Sequence, residues 1–292
     1  MSASLFPVSV PLTAISEPLF GKAGVTVEMA RLDMVHEVVS GNKLFKLRYY
    51  LQEASTIPAR IVTFGGAWSN HLVATAHAAR LYSLKCRGIV RGERPAQLNQ
   101  ALKDCQDLGM ELEFVDRPVY RELCLQEGLT GNDLYIPEGG YSVRGAEGAA
   151  RIAELLPGAD IYSVAVGTAT TAAGLCLGLN EKSILCVPAI RNMNDLEVRL
   201  RFLAPQQNCS LEVDNRFHFG GFARYDKTLL NFMNDFYKKH GIALDFIYTA
   251  KLMFTLYQRI REGHYPQGTR ICCLHTGGLQ GNRSLEGQLS YL

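Results

Sequence analysis

An α/β fold built on parallel sheets is what this 292-residue sequence predicts, on three grounds. Short β-rich apolar runs alternate with stretches of helical period, the pattern of strands joined by crossover helices. Glycines gather where candidate strands end and helices begin, at Gly65-Gly66, Gly139-Gly140, Gly167 and Gly277-Gly278. With 47% hydrophobic and 20% charged residues, the chain can bury one large core or two smaller ones around a shared cleft.

The predicted strands, in order, are Val25 to Arg31, Arg60 to Phe64, Lys85 to Val90, Glu111 to Val115, Ile161 to Val166, Ile184 to Val187 and Arg270 to Leu274. The predicted helices are Asn70 to Tyr82, Ala96 to Leu108, Val143 to Leu155, Thr171 to Leu179 and Leu229 to His240, the last stopped by Gly241. No repeat, low-complexity segment or Pro/Ser-rich linker divides the chain, so any two domains must be joined by more than one crossing. In open α/β sheets ligands bind beyond the carboxyl ends of the strands, where these glycines lie.

Charge and composition exclude several function classes. Thirty Lys and Arg against 28 Asp and Glu leave a net charge of +2 with no long run of one sign, which argues against a nucleic-acid partner. The start, Met1-Ser-Ala-Ser-Leu-Phe-Pro, has no basic segment followed by an apolar stretch, and no run of about 18 apolar residues follows. Neither an export signal nor a membrane span is expected. Eight cysteines without C-x-x-C spacing predict reduced thiols in a cytoplasmic protein. The seven histidines include no H-E-x-x-H and no finger-like pairing with cysteine, so no metal is expected and any cofactor is organic.

Four places carry chemistry. Ser40-Gly41-Asn42-Lys43-Leu44-Phe45-Lys46-Leu47 is a polar turn opening an amphipathic helix. A lysine there can be held from bulk water, which lowers its pKa and makes the amine a nucleophile, though taken alone the segment favours a solvated lysine in a turn. Thr63-Phe64-Gly65-Gly66-Ala67-Trp68-Ser69-Asn70-His71 runs from strand to helix start and suits either a plain N-cap or a grip on an anionic group. Val166-Gly167-Thr168-Ala169-Thr170-Thr171-Ala172-Ala173-Gly174 places small and hydroxylated residues at a helix N-terminus, a setting for phosphate, and is neither a Walker loop nor G-x-G-x-x-G. The C-terminal pair, Asp245-Phe246-Ile247-Tyr248-Thr249-Ala250-Lys251 and Leu274-His275-Thr276-Gly277-Gly278, puts a hydroxyl at a strand end, and His275 there fits a satisfied core histidine better than a catalyst.

Taken in order, these segments resemble the D-cysteine desulfhydrase and 1-aminocyclopropane-1-carboxylate deaminase family of fold-type II, tryptophan synthase beta-like, pyridoxal 5'-phosphate (PLP) enzymes. The patterns G-N-K, G-G-x-x-S-N, G-T-x-T-T-x-A-G, Y-T-x-K and H-T-G-G all occur in the family's order, from about Arg31 to Gly278. The resemblance implies that Lys43 holds PLP as a Schiff base and carries protons, and that Asn70 meets the PLP 3′-oxygen. Ser69, Asn70 and His71 would hold the substrate carboxylate, and Tyr248 would lie against the active site. Gly167, Thr168, Ala169, Thr170 and Thr171 would form the phosphate cup, with Thr249 and Thr276 nearer the pyridine ring. It also implies two α/β domains, each with a mostly parallel sheet. The small one would span 46–145, and the large PLP-binding one 1–45 and 146–292. A homodimer acting on a small amino acid is expected by the same analogy.

Thr249 and Thr276 match the desulfhydrase pattern, where the deaminases carry Glu and Leu. A carboxylate would keep the pyridine nitrogen protonated and help open a cyclopropane ring, whereas loss of a thiolate from Cβ needs a weaker electron sink. The expected reaction is therefore α,β-elimination from a small D-amino acid, giving a 2-keto acid, ammonia and sulfide. The sequence departs from the family at Phe45, Arg48 and Ala250, and at Phe222, where active relatives carry a Tyr. Phe222 keeps open a PLP-binding protein with little catalysis, and a 1-aminocyclopropane-1-carboxylate deaminase is the further alternative.

Overall fold

The computed structural model describes residues 6–36, 38–39, 41–57 and 59–292. Residues 1–5, Glu37, Ser40 and Pro58 lie outside them, and with them most of the expected N-terminal reading and the first residue of the lysine segment. In chain order the elements begin with β1 (Leu12–Ala14), α1 (Pro18–Ala23), β2 (Thr26–Arg31), α2 (Asn42–Ala54), β3 (Arg60–Gly65), α3 (Asn70–Leu81) and β4 (Cys86–Arg91). They continue with α4 (Gln100–Asp107), β5 (Met110–Val115), α5 (Arg117–Leu123), β6 (Gly128–Thr130), β7 (Asp133–Ile136), α6 (Val143–Ala150), β8 (Ile161–Val166) and α7 (Thr170–Gly178). The rest are β9 (Ser183–Pro188), α8 (Leu196–Leu203), β10 (Ser210–Val213), α9 (Lys227–His240), α10 (Thr249–Arg261) and β11 (Arg270–His275).

All seven predicted strands form, each within a residue of its expected bounds. The helix expected from Ala96 starts later, at Gln100, because the Asn99 side chain accepts from the Leu102 amide and caps it there. The helix expected to run to Leu155 ends at Ala150 and continues as a separate 3₁₀ turn, Ala153–Leu155.

Two sheets result. One has six strands in the order β1-β2-β11-β8-β9-β10 and the other five in the order β5-β4-β3-β7-β6. Only β1 on β2 and β6 on β7 pair antiparallel; every other pairing is parallel. Central strands such as β3 and β8 are buried along nearly their whole length, as sheets covered by helices on both faces require. The five-stranded sheet comes from residues between Arg60 and Ile136, and the six-stranded sheet from both ends of the chain.

Strand order fixes where a ligand can bind. In the larger sheet the chain leaves β8 towards β9, while β11 lies on the other side of β8, so the order switches between β8 and β11. In the smaller sheet the chain leaves β3 towards β4, while β7 lies on the other side, giving a second switch. Each switch opens a crevice at the strands' carboxyl ends. Helices α2, α6 and α7 join the two bodies by close backbone approach. A Cβ on Gly148 of α6 would overlap the Phe45 carbonyl oxygen of α2, and one on Gly174 of α7 would come within 2.7 Å of the Ala146 carbonyl oxygen.

Among the described residues no helix is long and apolar enough to cross a membrane, and no group of three or more His, Cys, Asp or Glu could hold a metal ion. All eight cysteines are free thiols.

Candidate active site

The two crevices meet in one cavity of about 60 Å3, partly open to solvent. Its wall is Asn42, Lys43 and Lys46 from α2, Gly139 beyond β7, the Ala165–Ala169 segment with Thr171 and Ala172, and Tyr248 and Thr276. The expected residues Lys43, Gly167, Thr168, Ala169, Thr171, Tyr248 and Thr276 are thus brought together from four stretches of chain, while Ser69, Asn70, His71, Thr170 and Thr249 are not among the wall residues.

Lys43 sits in the first turn of α2, which starts after Gly41 in a backbone conformation of φ 72°, ψ −154°. The Lys43 amine donates to Asn42 Oδ1 at 2.8 Å, and Asn42 Nδ2 donates to Thr171 Oγ1 at 2.7 Å, so the amine is tied through Asn42 to the start of α7. Burial lowers the Lys43 pKa to about 8 against an opposing pull from Asp245. Near neutral pH it therefore holds roughly two orders of magnitude more free amine than an ordinary lysine.

Lys46, one turn on, was given no role by the sequence reading. Its side chain is buried, its amine donates to the Gly139 carbonyl at 3.2 Å, and burial together with the Lys43 charge pushes its pKa well down. The signal for it was the three-residue spacing from Lys43, which puts both amines on one helix face.

Across the cavity, β8 runs into α7 through Gly167, Thr168 and Ala169. Ala169 takes the left-handed conformation at the helix N-cap, φ 70° and ψ −9°, a turn of the kind that gathers amides into an anion-binding concavity. The Thr168 and Thr170 hydroxyls lie 2.9 Å apart. The wall closes tightly here: a Cβ on Gly139 would come 2.9 Å from Thr168 Cγ2, and one on Gly167 would come 3.0 Å from the Tyr248 ring.

Tyr248 precedes α10, with its ring centroid 6.0 Å from the Lys43 amine. Burial first, then Asp245 and Glu138, push its phenol above the ordinary tyrosine range, so it stays protonated. Thr249 is turned away. Its hydroxyl donates to Asp245 Oδ2 at 2.6 Å and accepts from the Asp245 amide at 2.8 Å, which uses it up. The buried Asp245 carboxylate also accepts from the amides of Ile247, Tyr248 and Thr249, and so fixes the turn that aims Tyr248.

The loop after β3 behaves first as a helix cap: Ser69 Oγ accepts from the Leu72 amide at 3.3 Å. The Val73 amide goes to the Ser69 carbonyl, leaving the first amides of α3 directed past the helix end. His71 is buried with Nε2 2.9 Å from Thr63 Oγ1. Since Thr63 Oγ1 donates to the Ile136 carbonyl, it accepts from Nε2–H, and Nδ1 is left buried with no partner. Burial and then the two lysine charges drop the His71 pKa to about 3, so the ring is neutral. Asn70 Nδ2 donates to the Gly278 carbonyl at 2.9 Å, and its Oδ1 is buried and unpaired. His275 is a satisfied core histidine: Nε2 donates to the Ala243 carbonyl and Nδ1 accepts from the Gly277 amide.

These features fit an anionic, carbonyl-bearing cofactor. Among the described residues the wall offers two amines, threonine hydroxyls and a helix start with no carboxylate, and Asn70 Oδ1 is buried without a donor. Phe222 is 51% exposed, with its ring edge-on to Tyr248 at 6.2 Å.

Comparison with known proteins agrees with this geometry. A family model described as pyridoxal-phosphate dependent enzyme matches residues 14–277. A Pyrococcus horikoshii protein provisionally named 1-aminocyclopropane-1-carboxylate deaminase is 27% identical over 95% of this chain and 91% of its own. D-cysteine desulfhydrase of Klebsiella pneumoniae is 27% identical, covering 87% of each chain. Among solved structures, an ACC deaminase homologue superposes with a TM-score of 0.82 over 100% of this chain and 96% of that one, at 24% identity, a likeness of fold.

Proposed function

The chain belongs to the pyridoxal-phosphate dependent enzyme family, with PLP as its cofactor, and from that premise we propose that it performs α,β-elimination on a small D-amino acid of the D-cysteine kind. The products are a 2-keto acid, ammonia and sulfide. When bound, PLP supplies an electron sink for the pair left behind when a bond to the substrate's α-carbon breaks. Lys43 would hold the cofactor, and its Nζ would take the substrate's α-proton; its lowered pKa suits that exchange near neutral pH. Lys46, the Thr168 and Thr171 hydroxyls and the start of α7 hold the phosphate. The Asn70 and His71 amides at the start of α3 receive the substrate carboxylate. Tyr248, kept protonated, is the phenol beside Lys43 that can hand a proton to the departing group.

The observation that carries the reading is that the cavity wall, among the described residues, holds no carboxylate. Without one to hold the pyridine nitrogen protonated, the site favours losing a good leaving group over opening a strained ring. The relatives named 1-aminocyclopropane-1-carboxylate deaminase support ring opening as a second reading. Phe222, a ring without a hydroxyl beside Tyr248, supports a third, cofactor binding with little turnover. The division at 46–145, a homodimer and a cytoplasmic location complete the proposal; light scattering at micromolar concentration checks the dimer.

The test is incubation of the PLP-loaded protein with D-cysteine, L-cysteine and 1-aminocyclopropane-1-carboxylate. Pyruvate and sulfide from D-cysteine alone support elimination. 2-Oxobutanoate from the cyclic substrate transfers support to the second reading, and a retained cofactor with no product transfers it to the third.

A further inference from the structure

Lys251 is fully buried, yet no carboxylate pairs with it directly. Its amine donates to the Gly221 carbonyl at 2.7 Å and reaches the Ala189 carbonyl at 3.5 Å. A methionine would fill the same space without the cost of burying a cation, so the amine at this position calls for a reason. The loop it holds supplies one. Phe219, Gly220, Gly221 and Ala223 all have positive φ, at 51°, 90°, 113° and 54°, and two of these four residues are not glycine. Such a run costs free energy at each non-glycine position and persists only where surrounding contacts impose it.

The imposing contacts come from one face of α10 and the residue that caps it. Tyr248, Lys251 and Phe254 follow each other at three-residue spacing, which lines them up on that face. Phe219 packs edge-on against Phe254 at 5.0 Å, Phe222 edge-on against Tyr248 at 6.2 Å, and Lys251 holds the Gly221 carbonyl between them. We propose that Lys251 is a positioning residue: it pins the Phe219–Ala223 loop in its left-handed conformation and thereby sets Phe222 against Tyr248 at the mouth of the cavity. The consequence for substrate selection rests on the proposed function; the pinning itself does not. Burial lowers the Lys251 pKa to about 8, in keeping with an amine kept from water at some expense.

Limited trypsin digestion of the full-length, PLP-loaded protein tests this, because Arg224 is an exposed cleavage site beside the loop and Arg201, exposed on α8, is an internal reference. Lys251→Met is expected to speed cleavage at Arg224 by about tenfold while leaving Arg201 unchanged. Gly221→Ala, at a buried glycine of φ 113° whose Cβ would come 3.2 Å from Arg191 Cβ, displaces the carbonyl that Lys251 holds without removing the buried amine and is expected to act alike, which covers the case of a Lys251 variant that folds poorly. Adding Ala223→Gly to Lys251→Met is expected to restore much of the protection, since glycine keeps φ 54° unaided. A general loss of stability would not be rescued by that change. Cleavage at Arg224 unaltered in both single variants, or accelerated equally at Arg201, overturns the proposal. Proteolysis reads the loop whatever the substrate is, so its failure is distinct from a failure of the elimination reaction.

Discussion

Gly41→Ala is the substitution whose cost the structure specifies most completely. Gly41 combines φ 72° with ψ −154°, a region essentially reserved for glycine, so the conformation alone costs an alanine about 1–3 kcal/mol. Its new Cβ would also overlap the Thr276 carbonyl oxygen and lie 2.5 Å from that carbonyl carbon and 2.9 Å from Gly277 Cα. These are backbone atoms at the end of β11, so no rotamer change relieves the overlap. Helix α2 must instead move off the sheet and lose the bond from the Asn42 amide to the Thr276 carbonyl, worth about 1 kcal/mol. The sum is about 3 kcal/mol, and Lys43, two residues on, moves with the helix. Urea unfolding of the apoprotein should show a loss of that size, and PLP titration a weakened affinity. Gly158→Ala is the control: nothing lies within 4 Å of its Cβ, and its stability should stay within about 0.5 kcal/mol. A Gly41→Ala protein as stable as the parent and as avid for PLP would refute the claim that this contact seats the lysine.

Three further outcomes follow. Because burial lowers the Lys43 pKa to about 8 and the neutral amine is the nucleophile, PLP capture by the apoprotein should quicken as pH rises, with its midpoint near pH 8; a midpoint near 10.5 in stopped-flow absorbance would contradict the burial argument. Lys46→Met should weaken PLP binding by about 10- to 100-fold while leaving pyridoxal, which has no phosphate, nearly unaffected; equal losses for both would remove the phosphate from its role. Thr249→Val leaves the Asp245 amide without its acceptor and should cost about 1–3 kcal/mol in thermal unfolding, with the absorption of the bound cofactor unmoved; a shifted band at unchanged stability would put the hydroxyl in the cavity after all.

Most strands legible in the sequence carried runs of buried apolar residues, β5 being an exception with only Met110 buried. Four strands escaped: β1, β6 and β10, whose three or four mostly exposed residues carry no apolar period, and β7, whose four residues are too short a run to show its alternation. Helix α10 was visible only as a motif, since its N-cap, Tyr248, is no capping residue and the donors are met by Asp245 from three residues earlier. Of the glycine-rich strand ends, those at Gly139 and Gly167 line the cavity, because close backbone approach at a strand end demands small residues there, while Gly65-Gly66 and Gly277-Gly278 do not. What the sequence hid was the direction of side chains. Thr249 was expected beside the pyridine ring, yet its hydroxyl faces Asp245 at i−4, a pairing that competes with any outward role. Lys46 and Lys251 drew no role from the sequence because the carbonyls they meet, on Gly139 and Gly221, lie far along the chain.

The central claim is that Lys43 holds PLP in this cavity, and the visible absorption spectrum of the purified protein, before and after borohydride and alongside Lys43→Ala, tests it most directly. The account predicts a cofactor band in the parent that borohydride abolishes, fixing PLP covalently to the peptide that contains Lys43, and no such band or adduct in the variant. A band of equal strength in Lys43→Ala, or none in the parent after incubation with PLP, would contradict it.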